Sequence, residues 1–216
     1  MKKGMTELVF ILDKSGSMSG LENDTIGGYN SMLKKQKEVE GDCVITTVLF
    51  DNNLELLHDR IDIKAVNPIT DKEYTIGGMT ALCDAIGMAI NKIDNGQKHT
   101  AEDYRAEKVM FVIITDGYEN SSRKYTSDKI KKMIEQHKKE QQWEFVFLGA
   151  NIDAVETANE FGINADRASD YVADSMGTST AYEMMGSTIS CFRQDGELPP
   201  QYLNKIRDDA KKRGKH

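Results

Sequence analysis

The sequence predicts a doubly wound α/β domain with a mainly parallel central sheet, one antiparallel edge strand and helices on both faces. Three observations carry this. Short, almost wholly apolar runs such as residues 7–12 (ELVFIL) and 109–114 (VMFVII) end abruptly in polar residues, as strands buried on both faces do. Amphipathic stretches of helical spacing lie between such runs. The two kinds of segment alternate along the chain, which requires crossover connections and hence parallel strands.

Residues 7–12 form the first strand. After a Gly-rich turn, Ile26, Tyr29 and Leu33 fall at i, i+3, i+7 in a helix that runs to Val39 and is closed by Gly41. The β-branched run 43–50 is the second strand. Asp51-Asn52-Asn53 marks a turn, and 54–63 resumes an extended pattern as a hairpin partner at the sheet edge. Leu82, Ile86, Ala89, Ile90 and Ile93 keep helical spacing, with Asn95-Gly96 as the stop signal. Residues 109–114 are the next buried strand. Ile130, Met133, Ile134 and His137 mark a helix, 144–148 a strand, and Val155, Ala158 and Phe161 a helix ended by Gly162. Tyr171-Val172 reads as a last short strand. Tyr182, Met185, Ile189 and Phe192 share one face of a final long helix over 181–192. Leu198-Pro199-Pro200 breaks the pattern, which divides the chain into a domain over 1–195 and a charged tail over 196–216 with a short helix.

The 216 residues suit one core, since chains split into domains near roughly 250 residues. Composition excludes several functional classes. With 28 Lys+Arg against 35 Asp+Glu the net charge is −7, which argues against nucleic acid or anionic membrane as the main partner, because phosphates are neutralised by basic patches. The seven Lys/Arg between Arg123 and Lys139 alternate with Asp128 and Glu135, the pattern of a solvated helix face. No apolar run reaches the ~18 residues of a membrane span, and Met1-Lys2-Lys3 leads into Thr6-Glu7 rather than a signal core, so a cytoplasmic location is expected. Cys43, Cys83 and Cys191 are too scattered for a disulfide framework or a zinc site. His58, His99, His137 and His216 have no nucleophile beside them, and the methionines read as core filler, with a rim at the site described next as the alternative for Met18 and Met79, which flank it.

In a doubly wound sheet the ligand crevice lies outside the carboxyl ends of the strands, where strand order reverses. The first strand runs into Asp13-Lys14-Ser15-Gly16-Ser17 and the 109–114 strand into Thr115-Asp116-Gly117. If these strands are neighbours, Asp13 and Asp116 face one crevice and repel each other unless protonated or bridged by a cation. Ser15 and Ser17 alternate, so both hydroxyls can turn to the side of Asp13, and Gly77-Gly78-Met79-Thr80 offers a further hydroxyl just before a helix. Hydroxyls and carboxylates suit Mg²⁺ or Mn²⁺. Each residue taken alone is also a good helix cap or turn former; five together are harder to explain that way.

These segments, DKSGS at 13–17, TALCDAI at 80–86 and ITDG at 114–117, resemble the metal-ion-dependent adhesion site of von Willebrand factor A domains. The stretches ENSS (119–122) and WEFVFLGAN (143–151) further resemble stand-alone bacterial or phage members. The resemblance covers about residues 5 to 193 and implies a Rossmann-like fold in which Ser15, Ser17 and Thr80 ligate the metal directly while Asp13 and Asp116 act mainly through waters and hydrogen bonds. It also implies a non-catalytic, metal-dependent module that binds an Asp or Glu carboxylate of a protein partner. The alternative is a Mg²⁺-dependent hydrolase or phosphatase using Asp13 and Asp116, for which the sequence offers no activated nucleophile or general base.

Overall fold

A computed structural model of the chain describes residues 1–199 and 201–213; Pro200 of the predicted helix-breaking segment and the end of the charged tail, including His216, lie outside the described residues. Six strands form one sheet: β1 (Lys2–Asp13), β2 (Cys43–Phe50), β3 (Leu54–Asp62), β4 (Ala106–Thr115), β5 (Glu144–Gly149) and β6 (Ala168–Asp170). Their order is β3-β2-β1-β4-β5-β6, with only the β2–β3 hairpin antiparallel. This is the predicted doubly wound sheet. Strand order reverses at β1, which has β2 on one side and β4 on the other, with Leu12 opposite Ile114.

The strict alternation of the strands sorts the core into two layers. Leu8, Phe10 and Leu12 point to one face and Val9 and Ile11 to the other. Helices α1 (Glu22–Glu38) and α5 (Ser175–Asp195) cover the first face; α2 (Leu82–His99), α3 (Ser127–Gln141) and α4 (Ala154–Glu160) cover the second. A further helix, α6 (Asn204–Arg213), joins the first layer by burying Ile206 beside Tyr202 and Leu203. Among the described residues no helix is long and apolar enough to cross a membrane.

Three local expectations are corrected. The helix at Leu82 does not stop at Asn95-Gly96 but continues to His99. Gln97 there donates to the buried Glu7, and a side chain at Gly96 would strike the Arg60 guanidinium that pairs with Glu7 at 2.7 Å, so a long-range polar cluster overrides the local stop signal. The last strand is Ala168–Asp170 rather than Tyr171-Val172, because Phe147 to Gly149 pair with residues 168–170. Tyr171 only extends the ladder by donating its amide to Gly149 O at 2.9 Å. Met18 is 1% exposed and packs inward instead of rimming the site.

Candidate metal centre

The five predicted residues come together at the carboxyl ends of β1 and β4. Asp13 ends β1; Asp116 follows β4 directly, and a parallel register carries the two carboxylates to the same edge. Four of the five are buried, with Asp13 and Ser15 1% exposed, Asp116 2% and Thr80 3%, while Ser17 is open to solvent. Three loops meet here, and backbone bonds hold them in register. Gly16 N donates to Gly78 O at 3.1 Å and Gly77 N to Lys14 O at 2.9 Å, tying the 13–17 loop to the loop that carries Thr80. Gly78 adopts φ +74°, a left-handed conformation that favours glycine, and lies against the Asn52 side chain.

The Ser15 and Ser17 hydroxyls converge, but through a 3-10 turn over Gly16–Met18 rather than through the extended alternation the sequence predicts. Ser15 Oγ and Ser17 Oγ are 3.0 Å apart. A Cβ built on Gly117 would lie 3.2 Å from Thr80 Oγ1 and 3.3 Å from Ser17 Oγ, which puts the Thr80 hydroxyl, the Ser17 hydroxyl and the backbone after Asp116 around one small volume. A side chain at residue 117 would fill it.

The two carboxylates differ in their partners. Asp13 is satisfied internally: Oδ1 accepts from Ser15 N at 2.7 Å and Oδ2 from Thr115 Oγ1 at 2.6 Å, while the Tyr74 hydroxyl donates to its carbonyl. Asp13 is therefore a brace that shapes the serine loop. Both oxygens of Asp116 are buried without a hydrogen bond of good geometry, and the Ser17 hydroxyl is the group nearest to easing their charge. Burial holds the carboxyls of both residues above the ordinary carboxylate range; for Asp116 the Ser17 hydroxyl opposes this and the charge of Asp13 adds to it. An unpartnered buried carboxylate is costly unless something electropositive compensates it.

That orphaned carboxylate, together with three convergent hydroxyls, fits a hard cation with oxygen ligands. Among the described residues no group of three or more His, Cys, Asp and Glu is placed to hold a metal ion, so hydroxyls would have to supply most of the protein ligands. A cavity of about 470 Å³ opens over the site, lined by Ser17 and Asp116 and walled by Asp24, Asn151, Asp174 and Ser175 among others.

Sequence reasoning missed the frame around Thr80. Asn120 Oδ1 accepts from Thr80 N at 2.9 Å, and Asn120 N donates to Thr80 O at 3.0 Å. Glu119 accepts from the amides of Ser121, Ser122 and Cys83, and Asp84 from those of Arg123, Lys124 and Tyr125. The loop after Asp116 is thus fastened to the start of α2. The acid- and amide-rich stretch ENSS was the signal, but its bonding partners lie some forty residues away.

No protein-family profile matches the sequence and no curated protein matches it either. Solved structures match in fold. The von Willebrand factor type A protein from Catenulispora acidiphila aligns with a TM-score of 0.57 at 15% identity, over 85% of this chain and 42% of that one. Proximal thread matrix protein 1 of the mussel byssus, in a structure with a zinc-occupied metal-ion-dependent adhesion site, gives 0.59 at 15% identity over 87% and 46%. Manganese-loaded TRAP protein from Plasmodium vivax gives 0.52 at 19% identity over 69% and 58%. The chain spans less than two thirds of each of these neighbours. At such identities the likeness establishes the fold, which is that of von Willebrand A domains.

Proposed function

We propose that the chain is a non-catalytic module that binds a Mg²⁺ or Mn²⁺ ion and, through it, an Asp or Glu carboxylate of a protein partner. The observation that carries this reading is the buried Asp116 carboxylate without a hydrogen bond, facing the Ser17 and Thr80 hydroxyls across the space that Gly117 leaves open. Ser15, Ser17 and Thr80 would hold the ion through neutral oxygens, with Asp116 compensating its charge and Asp13 bracing the loop. An ion held mainly by neutral oxygens keeps much of its positive charge and so attracts a further anionic ligand. Ser17 is open to solvent and lines the cavity, so a partner carboxylate approaching from there would meet it first, while Thr80 lies buried on a separate loop beside it. The zinc and manganese named for two of the solved neighbours agree with a divalent ion in this fold.

Binding, not turnover, is the proposed role. Among the described residues the histidines are engaged elsewhere: His58 bonds Thr47 Oγ1, His99 bonds Asn95 O and His137 bonds Met133 O. None reaches the crevice as a general base. The deciding experiment is calorimetry with Mg²⁺ and Mn²⁺ on the wild type and on Asp116→Ala, accompanied by phosphatase and nuclease assays on the metal-loaded protein. Saturable binding that Asp116→Ala abolishes, with background turnover, is the expected result. Absence of binding overturns the metal centre, and metal-dependent phosphate release lost in Asp116→Ala overturns the non-catalytic role.

A further inference from the structure

A carboxylate alone cannot identify a partner, since every Asp or Glu offers the same one, so selection falls to the groups beside the metal centre. Those groups are the walls of the cavity over Ser17 and Asp116. Three carboxylates line it, those of Asp24, Asp116 and Asp174. Two of them are committed. Asp116, 2% exposed and without a hydrogen bond of good geometry, is the counter-charge of the proposed ion. Asp174 pairs with Arg213 at 2.6 Å and caps α5 by accepting from Gly177 N at 2.8 Å.

Asp24 differs from both. Its Oδ1 accepts from Ser175 Oγ at 2.7 Å, a neutral hydroxyl that leaves the charge in place, and among the described residues no cation pairs with it. Lys14 of the serine loop pairs with Glu55 at 2.8 Å, and Arg123 and Lys124, exposed on the loop after Asp116, do not line the cavity. Asp24 stands in the first turn of α1, where an acidic side chain also favours the helix dipole. The dipole does not explain its surroundings. Asp24 and Ser175 line both this cavity and a second one, also of about 470 Å³, between α1 and α5. Gly27, Gly28 and Ser31 on α1 and Ser179 on α5 keep that space open beside the Asp24 carboxylate. The cation in it, Lys35, lies about three turns further along α1 and donates to Ser187 Oγ at 2.8 Å.

We propose that Asp24 receives a Lys or Arg side chain of the partner, so that the recognised segment carries a basic residue within about three positions of its metal-seeking acid. This rests on the metal–carboxylate reading above and adds the partner's second anchor to it. The spacing follows from size: a cavity of about 470 Å³ is roughly 10 Å across, which an extended chain crosses in about three residues. The occupant follows from charge complementarity. The metal attracts an anion and Asp24 a cation, so a segment with both signs fits and one of uniform charge is repelled at one end. The open space between α1 and α5 takes the aliphatic stem of either basic side chain.

The test is selection of short random peptides displayed on yeast, bound to the full chain in millimolar Mn²⁺ and released with chelator. Released peptides are expected to share an Asp or Glu with a Lys or Arg within about three positions. Asp24→Asn, which keeps an acceptor for Ser175, should bind an enriched peptide at least tenfold more weakly, while its Mn²⁺ affinity titrated without peptide is unchanged. That titration also reports that the variant is folded. Replacing the peptide's basic residue by Gln should cost the wild type the same factor and cost Asp24→Asn nothing further, as a direct pair requires. Peptides that share the acid but no base, an unchanged peptide affinity in Asp24→Asn, additive losses, or a fall in Mn²⁺ affinity overturn the role of Asp24 and leave the metal–carboxylate reading standing. Chelator-released peptides without a shared acid, or none at all, overturn both.

Discussion

Asn120 grips the backbone of Thr80 from both sides, accepting from its amide at 2.9 Å and donating to its carbonyl at 3.0 Å. Forty residues separate the two, and neither bond belongs to a helix or to the sheet. The pair links the loop that follows Asp116 to the loop that presents the third hydroxyl, so the position of Thr80 depends on the chain beyond β4. Replacing Asn120 by Ala removes one of the two bonds, worth roughly 1 kcal/mol. Mn²⁺ affinity should fall about fivefold, and Asn120→Asp, which keeps the acceptor oxygen, should recover part of the loss. Titration of both variants against wild type checks this; equal affinities in all three would show that Thr80 is held without Asn120.

Divalent metal should stabilise the fold. An ion that binds only the native state at a hundredfold excess over Kd adds about 2.7 kcal/mol. For a chain of this size that corresponds to a rise in melting temperature of about 5–10 °C. Thermal melts with millimolar Mg²⁺, Mn²⁺ and chelator provide the measurement.

Without metal, Asp116 is a liability. Its carboxylate is buried with no hydrogen bond of good geometry, so Asp116→Asn removes a charge that only the nearby Ser17 hydroxyl eases. The metal-free variant should melt higher than the metal-free wild type, by about 1 kcal/mol, and should no longer respond to Mg²⁺. A variant less stable than wild type in chelator would mean that the protein itself satisfies this carboxylate.

Thr80→Ala should separate the metal-binding and carboxylate-binding halves of the proposed function. One neutral hydroxyl is lost while both carboxylates remain, so metal affinity should drop only severalfold. Binding of an acid-bearing peptide should fall by tenfold or more. Calorimetry with metal alone and then with peptide distinguishes the two effects.

Stability should decline in mild acid through His58. Burial in the β2–β3 hairpin holds its imidazole below the ordinary value of 6.5, with Glu73 opposing, and Nδ1 lies 3.0 Å from Thr47 Oγ1. The unfolded chain then binds more protons than the native one as pH falls through 6.5, so this contribution is full above that pH and is lost below it. The raised carboxyls of Glu7, Asp13 and Asp116 change in the opposite sense, which makes the difference between wild type and His58→Gln the quantity to measure. That difference in melting temperature should shrink from pH 7.5 to about pH 5 as His58 becomes protonated.

Much of this molecule is legible in local patterns. Apolar runs place β1, β2, β4 and β5, although β1 begins five residues earlier than its apolar stretch, because a strand buried on both faces leaves no alternative to such a run; the exposed β3 follows instead from the Asp51-Asn52-Asn53 turn. The doubly wound rule brings Asp13 and Asp116 to one edge, where β1 and β4 do pair, whereas Ser15 and Ser17 meet through a 3-10 turn that alternation does not foresee. Helix ends were less legible. Gly96 is a sound local stop, yet the Glu7–Arg60–Gln97 cluster holds the helix for another turn, and that cluster draws on residues 53 and 90 positions from Glu7.

By itself the sequence determined which residue types reach the crevice and that they suit an oxygen-coordinated cation, since type and spacing are local properties. Only the tertiary structure decided what each residue does there. Asp13 is saturated by Ser15 and Thr115 while Asp116 is left without a hydrogen bond of good geometry, a difference invisible in two aspartates that both end strands. Met18 turns inward although Met79 beside the same site turns out, because burial depends on what the rest of the chain packs against each position. Asn120 meets Thr80 only through loops brought together from distant parts of the chain. Hydrogen bonds and exposure across such distances are properties of the assembled fold, and no periodicity in the sequence encodes them.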